Sequence, residues 1–239
     1  MNNQVVLITG AAQGIGLETA SRLKERGARV IGLDIVRPED DGPFADFKEC
    51  DLRDEQQGVD AVNGVASAYG RLDGVVNNAA VSPVGPFLDA TVDDLAYAFE
   101  VNVRGVFLIA REAARWMSAN GGGSIVNLSS VNGHRGVTNT SVYSLTKGAV
   151  SALTRSLAVE LAPHGIRVNA VAPAPTATRR VLSLLSDEAI EARVARIPHG
   201  RLAAPEDIAN ATIWLLSGEA GFVTGVVLPV DGGYMAYGS

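Results

Sequence analysis

The chain has 239 residues, 47% of them hydrophobic, and a formal net charge of −6. That is enough apolar material for a full core without a disulfide or metal staple, and the acidic balance, with no basic block longer than Arg179-Arg180, argues against nucleic acid or an anionic membrane surface as a partner. Cys50 is the only cysteine, so no internal disulfide forms; with no signal-peptide pattern and no membrane-length apolar run in view, the expected setting is the cytoplasm.

Val5 to Thr9 is a short apolar run that ends in glycine and predicts a buried strand. Helical spacing of Ile15, Thr19 and Leu23 predicts a helix from Ile15 to Arg26, stopped by Gly27, and Arg29 to Asp34 predicts a second strand. A weak strand at Phe47 to Asp51 and a helix from about Asp54 to Tyr69 come next. Leu72 to Asn77 then reads as a strand and roughly Val92 to Ala119 as a helical region. Ser124 to Ser129 predicts a strand, Tyr143 to Leu161 a helix, Ile166 to Val171 a strand, Pro205 to Leu216 a helix and Val226 to Val230 a last strand. Seven strands alternating with helices imply an α/β fold, a doubly wound, seven-stranded parallel sheet of Rossmann type in a single domain over 1–239. The charged, strand-free stretch at about 174–205 breaks the alternation and is expected to be a lid-like insertion over the open edge of the sheet.

The chemistry-bearing motifs fall at strand ends. The loop Thr9-Gly10-Ala11-Ala12-Gln13-Gly14-Ile15-Gly16 lets backbone approach a pyrophosphate at the positive end of a helix. Taken alone it also fits a tight turn with no ligand. Asp34 closes the second strand 18 residues after Gly16, where a carboxylate accepts both hydroxyls of an adenosine ribose. Asp51 and then Asn77-Asn78-Ala79-Ala80 end the next two strands on the same side, where open α/β sheets bind ligands. Tyr143 and Lys147, four apart, share a helix face about 6 Å apart along the axis. A neighbouring ammonium favours the phenolate, so Tyr143 is expected to have a lowered pKa and to carry the proton of an alcohol or ketone. Ser130, closing the fifth strand, is placed to hold the substrate oxygen.

With these motifs in order, the chain resembles the short-chain dehydrogenase/reductase family over nearly its whole length. The matching segments are TGAAQGIG at Thr9 to Gly16, NNAA at Asn77 to Ala80, Asn102 within EVNVRG and VNLSS at Val126 to Ser130. They continue with YSLTK at Tyr143 to Lys147, VNAVAP at Val168 to Pro173 and VDGG at Val230 to Gly233. The resemblance implies a catalytic tetrad of Asn102, Ser130, Tyr143 and Lys147. Tyr143 would be the acid/base, Ser130 the orienter of the substrate oxygen, and Lys147 a ribose ligand that tunes Tyr143. Asn102, by itself an ordinary helix cap, would hold a water linking Lys147 to solvent. The resemblance also puts the cofactor against Gly10, Gln13, Gly14, Ile15 and Gly16, then Asp34, Asp51 and Leu52, then Asn78 and Ala79. Pro173, Thr176 and Thr178 would complete its contacts, with Tyr143 and Lys147. Ala80 and Ala174 depart from glycines usual in the family; Pro175 steers Ala174 into an extended backbone that alanine tolerates.

The expected function is hydride transfer between NAD and a small-molecule substrate, with Asn132, His134 and Asn139 favouring a small polar alcohol or polyol. Asp34 favours NAD by repelling the extra phosphate of NADP, and Arg37 is the one cation close in sequence that would relieve it. The alternatives are an NADPH-dependent 3-oxoacyl-acyl-carrier-protein reductase and a non-catalytic dinucleotide-sensing protein. Cys50 reads as a buried inert thiol, and the three histidines are too scattered for a metal site. Apolar residues on more than one helix face, at Val106, Leu108, Ile109, Trp116, Leu153 and Leu157, exceed what one sheet needs, and the resemblance implies a homotetramer.

Overall fold

Short apolar runs between polar or glycine breaks set the strand lengths in the computed structural model, which describes residues 1–40 and 42–237. Among these residues the strands are β1 (Val5–Thr9), β2 (Arg29–Asp34), β3 (Asp46–Glu49), β4 (Gly74–Asn77), β5 (Gly123–Leu128), β6 (Ile166–Pro173) and β7 (Val227–Val230). They form one seven-stranded sheet in the order β3-β2-β1-β4-β5-β6-β7, and every neighbouring pair is parallel. The helices are α1 (Gly14–Glu25), α2 (Glu55–Tyr69), α3 (Val92–Phe99), α4 (Val106–Ala119), α5 (Ser141–Leu161), α6 (Arg179–Leu184), α7 (Asp187–Val194) and α8 (Pro205–Leu216).

Every residue of β1 is buried, because the sheet is covered on both faces. Alternation along the strand divides the core in two. Leu7, Ile31, Val75 and Ile125 point to the layer with Val62, Ile109 and Met117 of α2 and α4. Val6, Ile8, Val76 and Val126 point to the layer with Leu23, Ile208 and Ile213 of α1 and α8. β1 pairs with β2 on one side and with β4 on the other. Strand order reverses there, and the split leaves a crevice at the strands' carboxyl ends.

Three local features differ from the sequence expectations. The helical region from Val92 to Ala119 is not one helix: a π-helical stretch, Glu100–Gly105, separates α3 from α4. Val106, Leu108 and Ile109, expected as surplus apolar surface, are buried within the chain. The reason is a close approach of α2 to α4, where Gly58 lies so near Leu108 that a Cβ would stand 2.7 Å from its Cδ2. β3 stops at Glu49, so Asp51 sits in the following loop rather than at the end of the strand.

The stretch after β6 carries α6 and α7 and a single parallel bridge between Thr176 and Ala203. Ala174, Ile197 and Leu202 root it in a small apolar cluster with Val131 and Tyr234. Arg167 of β6 secures the far end of α8 by donating to the carbonyls of Leu215, Leu216 and Ser217, and also to that of Val223 beyond the helix. The first three carbonyls lie at the end of α8 without intrahelical partners, and a guanidinium there also suits the negative end of the helix. Among the described residues no helix is long and apolar enough to cross a membrane.

Candidate active site

The glycine loop leaves β1 through Gly10 and enters α1 through Gly14, at φ values of +64° and +57°. Both lie in the left-handed region, which favours glycine. Thr9 Oγ1 accepts the N–H groups of Asn78 and Ala79, and Asn78 Nδ2 donates to the carbonyls of Thr9 and Gly10. The ends of β1 and β4 are therefore laced together at the crevice. Gly16 lies beneath the loop, where a Cβ would stand 2.2 Å from the Gly10 carbonyl oxygen. Gln13 caps α1 without a side-chain hydrogen bond, and the first turn carries no acidic residue. That leaves the positive end of α1 suited to an anion.

A groove of about 670 Å³ runs from this loop along the strand ends. Its walls include Gly10, Gln13, Gly14, Ile15, Asp34, Asp51, Leu52, Asn78, Ala79 and Thr178. Ten of the expected cofactor contacts are thus brought together, and the uncapped helix end and glycine turns fit a dinucleotide's pyrophosphate. Asp34 Oδ2 accepts the Ala12 N–H at 3.0 Å and Oδ1 the Ile35 N–H at 2.7 Å. Asp51 is clamped by Arg53, whose hydrogen bonds hold its carboxyl below the usual range. The Arg53 guanidinium lies over Tyr97, another wall residue, 5.6 Å from the ring centroid. The sequence offered no sign of this arginine's place.

Five of the expected contacts, Gly16, Tyr143, Lys147, Pro173 and Thr176, are not among the residues that line the groove. Gly16 acts through packing, and Pro173 ends β6 with Ala174 bonded to the Val230 carbonyl. Thr176 is buried and spends its hydroxyl on the Ala174 carbonyl. Among the described residues only Asn3 and Asn139 have positive φ without being glycine, so Ala174 fits its place unstrained.

The expected tetrad gathers behind β5. Ser130, two residues past β5, accepts the Asn132 N–H at 3.2 Å, and its hydroxyl acts on the Tyr143 phenol in the direction that favours the phenolate. Lys147, one turn on along α5, is 3% exposed, and its Nζ donates to the Leu128 carbonyl at 2.6 Å and lies 5.6 Å from the Tyr143 ring centroid. Burial pulls the ammonium down to about 8. Burial also pushes the Tyr143 phenol up, opposed by the Ser130 hydrogen bond. This reverses the direction expected from sequence. Lys147 is turned onto a carbonyl and the ring face, so loss of water outweighs its help to the phenolate.

Asn102 lies in the π-helical stretch with no exposed surface. Its Oδ1 accepts the Val81 N–H, and its Nδ2 donates to the Val81 carbonyl and to Thr146 Oγ1. Thr146 in turn donates to the Tyr143 carbonyl at 2.7 Å. Asn102 thus ties the chain after β4 to the turn of α5 that carries Tyr143. Sequence reasoning missed Thr146, although its place beside Lys147 in YSLTK was a signal. Among the described residues no cluster of His, Cys, Asp and Glu could hold a metal ion.

The family model described as Enoyl-(Acyl carrier protein) reductase matches residues 10–235. Cis-4-hydroxycyclohexanecarboxylate dehydrogenase of Sinomonas cyclohexanicum is 42% identical over 98% of this chain and 97% of its own. The chain belongs to the short-chain dehydrogenase/reductase family. L-xylulose reductase of Homo sapiens is 41% identical over 97% of this chain and 96% of its own. A solved structure of ElxO with NADP bound superimposes with a TM-score of 0.92 at 29% identity, covering 98% of this chain and all of that one. As a member of this family the chain is an oxidoreductase that transfers a hydride between a nicotinamide dinucleotide and an alcohol or ketone carbon.

Packing of the loop generates the first test. Gly16→Ala forces backbone apart at the Gly10 carbonyl, because no flexible side chain can yield there. Dinucleotide affinity, measured by fluorescence titration, is expected to fall at least about ten-fold. Unchanged affinity would contradict the loop geometry.

Proposed function

We propose that the protein is an NAD-dependent dehydrogenase or reductase of a small polar alcohol or polyol, with Tyr143 as acid/base. The observation that carries this is buried Lys147, its Nζ over the Tyr143 ring and on the Leu128 carbonyl, on a helix that Thr146 and Asn102 tie to the groove residue Val81. The names of the two curated relatives, which act on a hydroxycyclohexane acid and a ketose, support a polar substrate. A dinucleotide held by Gly10, Gln13, Gly14, Ile15 and Asp34 would supply the hydride chemistry at the carbinol or carbonyl carbon. Ser130 holds the substrate oxygen, and Tyr143 Oη takes the hydroxyl proton in oxidation or gives it in reduction. Lys147 sits behind the phenol and favours its charged form once turned toward it. Asn102 and Thr146 keep that turn of α5 in register. The segment 174–205 is read as a lid over the groove, to which Thr178, Arg179 and Arg180 already contribute walls.

Removing the acid/base tests this reading. Tyr143→Phe should lower turnover at least about 100-fold while leaving NAD binding nearly unchanged. The substrates to screen are cis-4-hydroxycyclohexanecarboxylate, L-xylulose and common polyols, followed by NADH absorbance. Substantial activity in Tyr143→Phe, or no turnover of any screened alcohol or ketone, would overturn it.

Asp34 supports NAD over NADP. A phosphate at about 5 Å costs roughly 3 kcal/mol per unit charge at an effective dielectric near 20. Arg37, the cation that could relieve it, bonds Glu49 at 3.3 Å and lies over Phe47, and Arg179 reaches Glu39 at 3.5 Å. The NADP seen in ElxO is the observation that favours the opposite reading. Comparing kcat/KM for both cofactors decides between them: wild type is expected to prefer NAD about 100-fold, and Asp34→Ala to lose that preference. Equal use of NADP by the wild type would refute the assignment.

Assembly as a homotetramer is supported by Leu157, as the sequence suggested, and by residues it did not single out. Phe107 and Val159 of α4 and α5 are exposed, and a cleft lined by Ala110, Ala114, Leu157 and Leu161 with Arg111, Arg115 and Glu160 runs between the two helices. Light scattering at micromolar concentration should give the mass of four chains, and a monomer mass would exclude it.

A further inference from the structure

His134 stands four residues past Ser130 in an exposed loop, yet its ring reaches inward. Nε2 lies 3.1 Å from Ser151 Oγ, which lies 2.7 Å from Ser129 Oγ. Both hydroxyls are also within bonding distance of the Lys147 carbonyl, at 3.1 Å from Ser129 and 3.0 Å from Ser151. Both serines are buried. The loop rests directly on α5 at this point, since a Cβ on Gly133 would stand 2.8 Å from the Lys147 carbonyl carbon. One polar chain therefore links the neighbour of Ser130 to the backbone of Lys147, and His134 closes its outer end.

The two hydroxyls and the ring share four contacts, and the donor in the His134–Ser151 bond follows the ring's tautomer. On the other side of the loop, Arg135 donates to the Tyr234 carbonyl at 2.7 Å and lies 4.8 Å from that ring's centroid. The loop after Ser130 is thus pinned inward to α5 by one residue and outward to the C-terminal segment by the next.

We propose that His134 is a positioning residue, acting through Ser151 and Ser129 to hold Ser130 in register with Lys147. This rests on the acid/base assignment above. A small displacement of a group that orients the substrate oxygen lowers turnover more than binding. His134→Ala is expected to lower kcat about ten-fold with the best substrate of the screen, at unchanged dinucleotide affinity. His134→Gln keeps a side-chain group that can donate or accept at similar reach and should return kcat to within about two-fold of wild type. Ser151→Ala removes the next link, so the double variant His134→Ala/Ser151→Ala should be no slower than the slower single variant. Wild-type kcat in His134→Ala, no rescue by glutamine, or losses that multiply in the double variant would each overturn the proposal. Dinucleotide titration of each preparation reports that the variant is folded. Activity surviving in Tyr143→Phe would instead strike the acid/base assignment, so the two failures are distinguishable.

Discussion

A lysine ammonium almost wholly out of water is the constraint around which the candidate site is arranged. Burying such a charge is costly unless polar groups meet it. Lys147 has the Leu128 carbonyl at 2.6 Å and the face of the Tyr143 ring beside it. The remaining cost appears as an ammonium drawn down by burial to about 8. A cation held that way gains most from a nearby negative charge. Under the proposed function, the phenolate formed when Tyr143 gives up its proton would be one, once Lys147 turns from the Leu128 carbonyl toward it.

The scaffold makes this placement cheap. β5 delivers Leu128 and Ser130 to one side, α5 delivers Tyr143 and Lys147 to the other, and the Asn102–Thr146 contact sets the height of α5 against the chain after β4. The dinucleotide groove opens at the same strand ends because order reverses between β1 and β4. Thr9 and Asn78 lace those two ends, and α5, which carries Tyr143 and Lys147, packs on the same sheet.

Much of this was legible in the residues. Short apolar strands in alternation with amphipathic helices specify a parallel sheet, and strand ends are where its ligands sit. Ser130, Tyr143 and Lys147 could be read because helical spacing and strand ends are local properties. What could not be read depends on contacts between distant segments. The π-helical stretch at Asn102 accompanies bonds to Val81 and Thr146, and the burial of Leu108 depends on Gly58 of another helix. The direction of the Tyr143 shift went the other way for the same reason. Spacing brings the ammonium near the phenol, but desolvation and the Leu128 carbonyl are decided by the fold.

The ionisation of Tyr143 tests the account most directly. Tyrosinate absorbance of wild type minus that of Tyr143→Phe, followed against pH, isolates this one phenol. In the protein without dinucleotide, burial raises its pKa, so the signal should appear only above the ordinary tyrosine value of about 10. Saturating NAD should move it to lower pH in wild type but not in Lys147→Met. A free-protein Tyr143 that ionises below about 10, or one whose titration shifts equally without Lys147, would contradict the buried-pair mechanism.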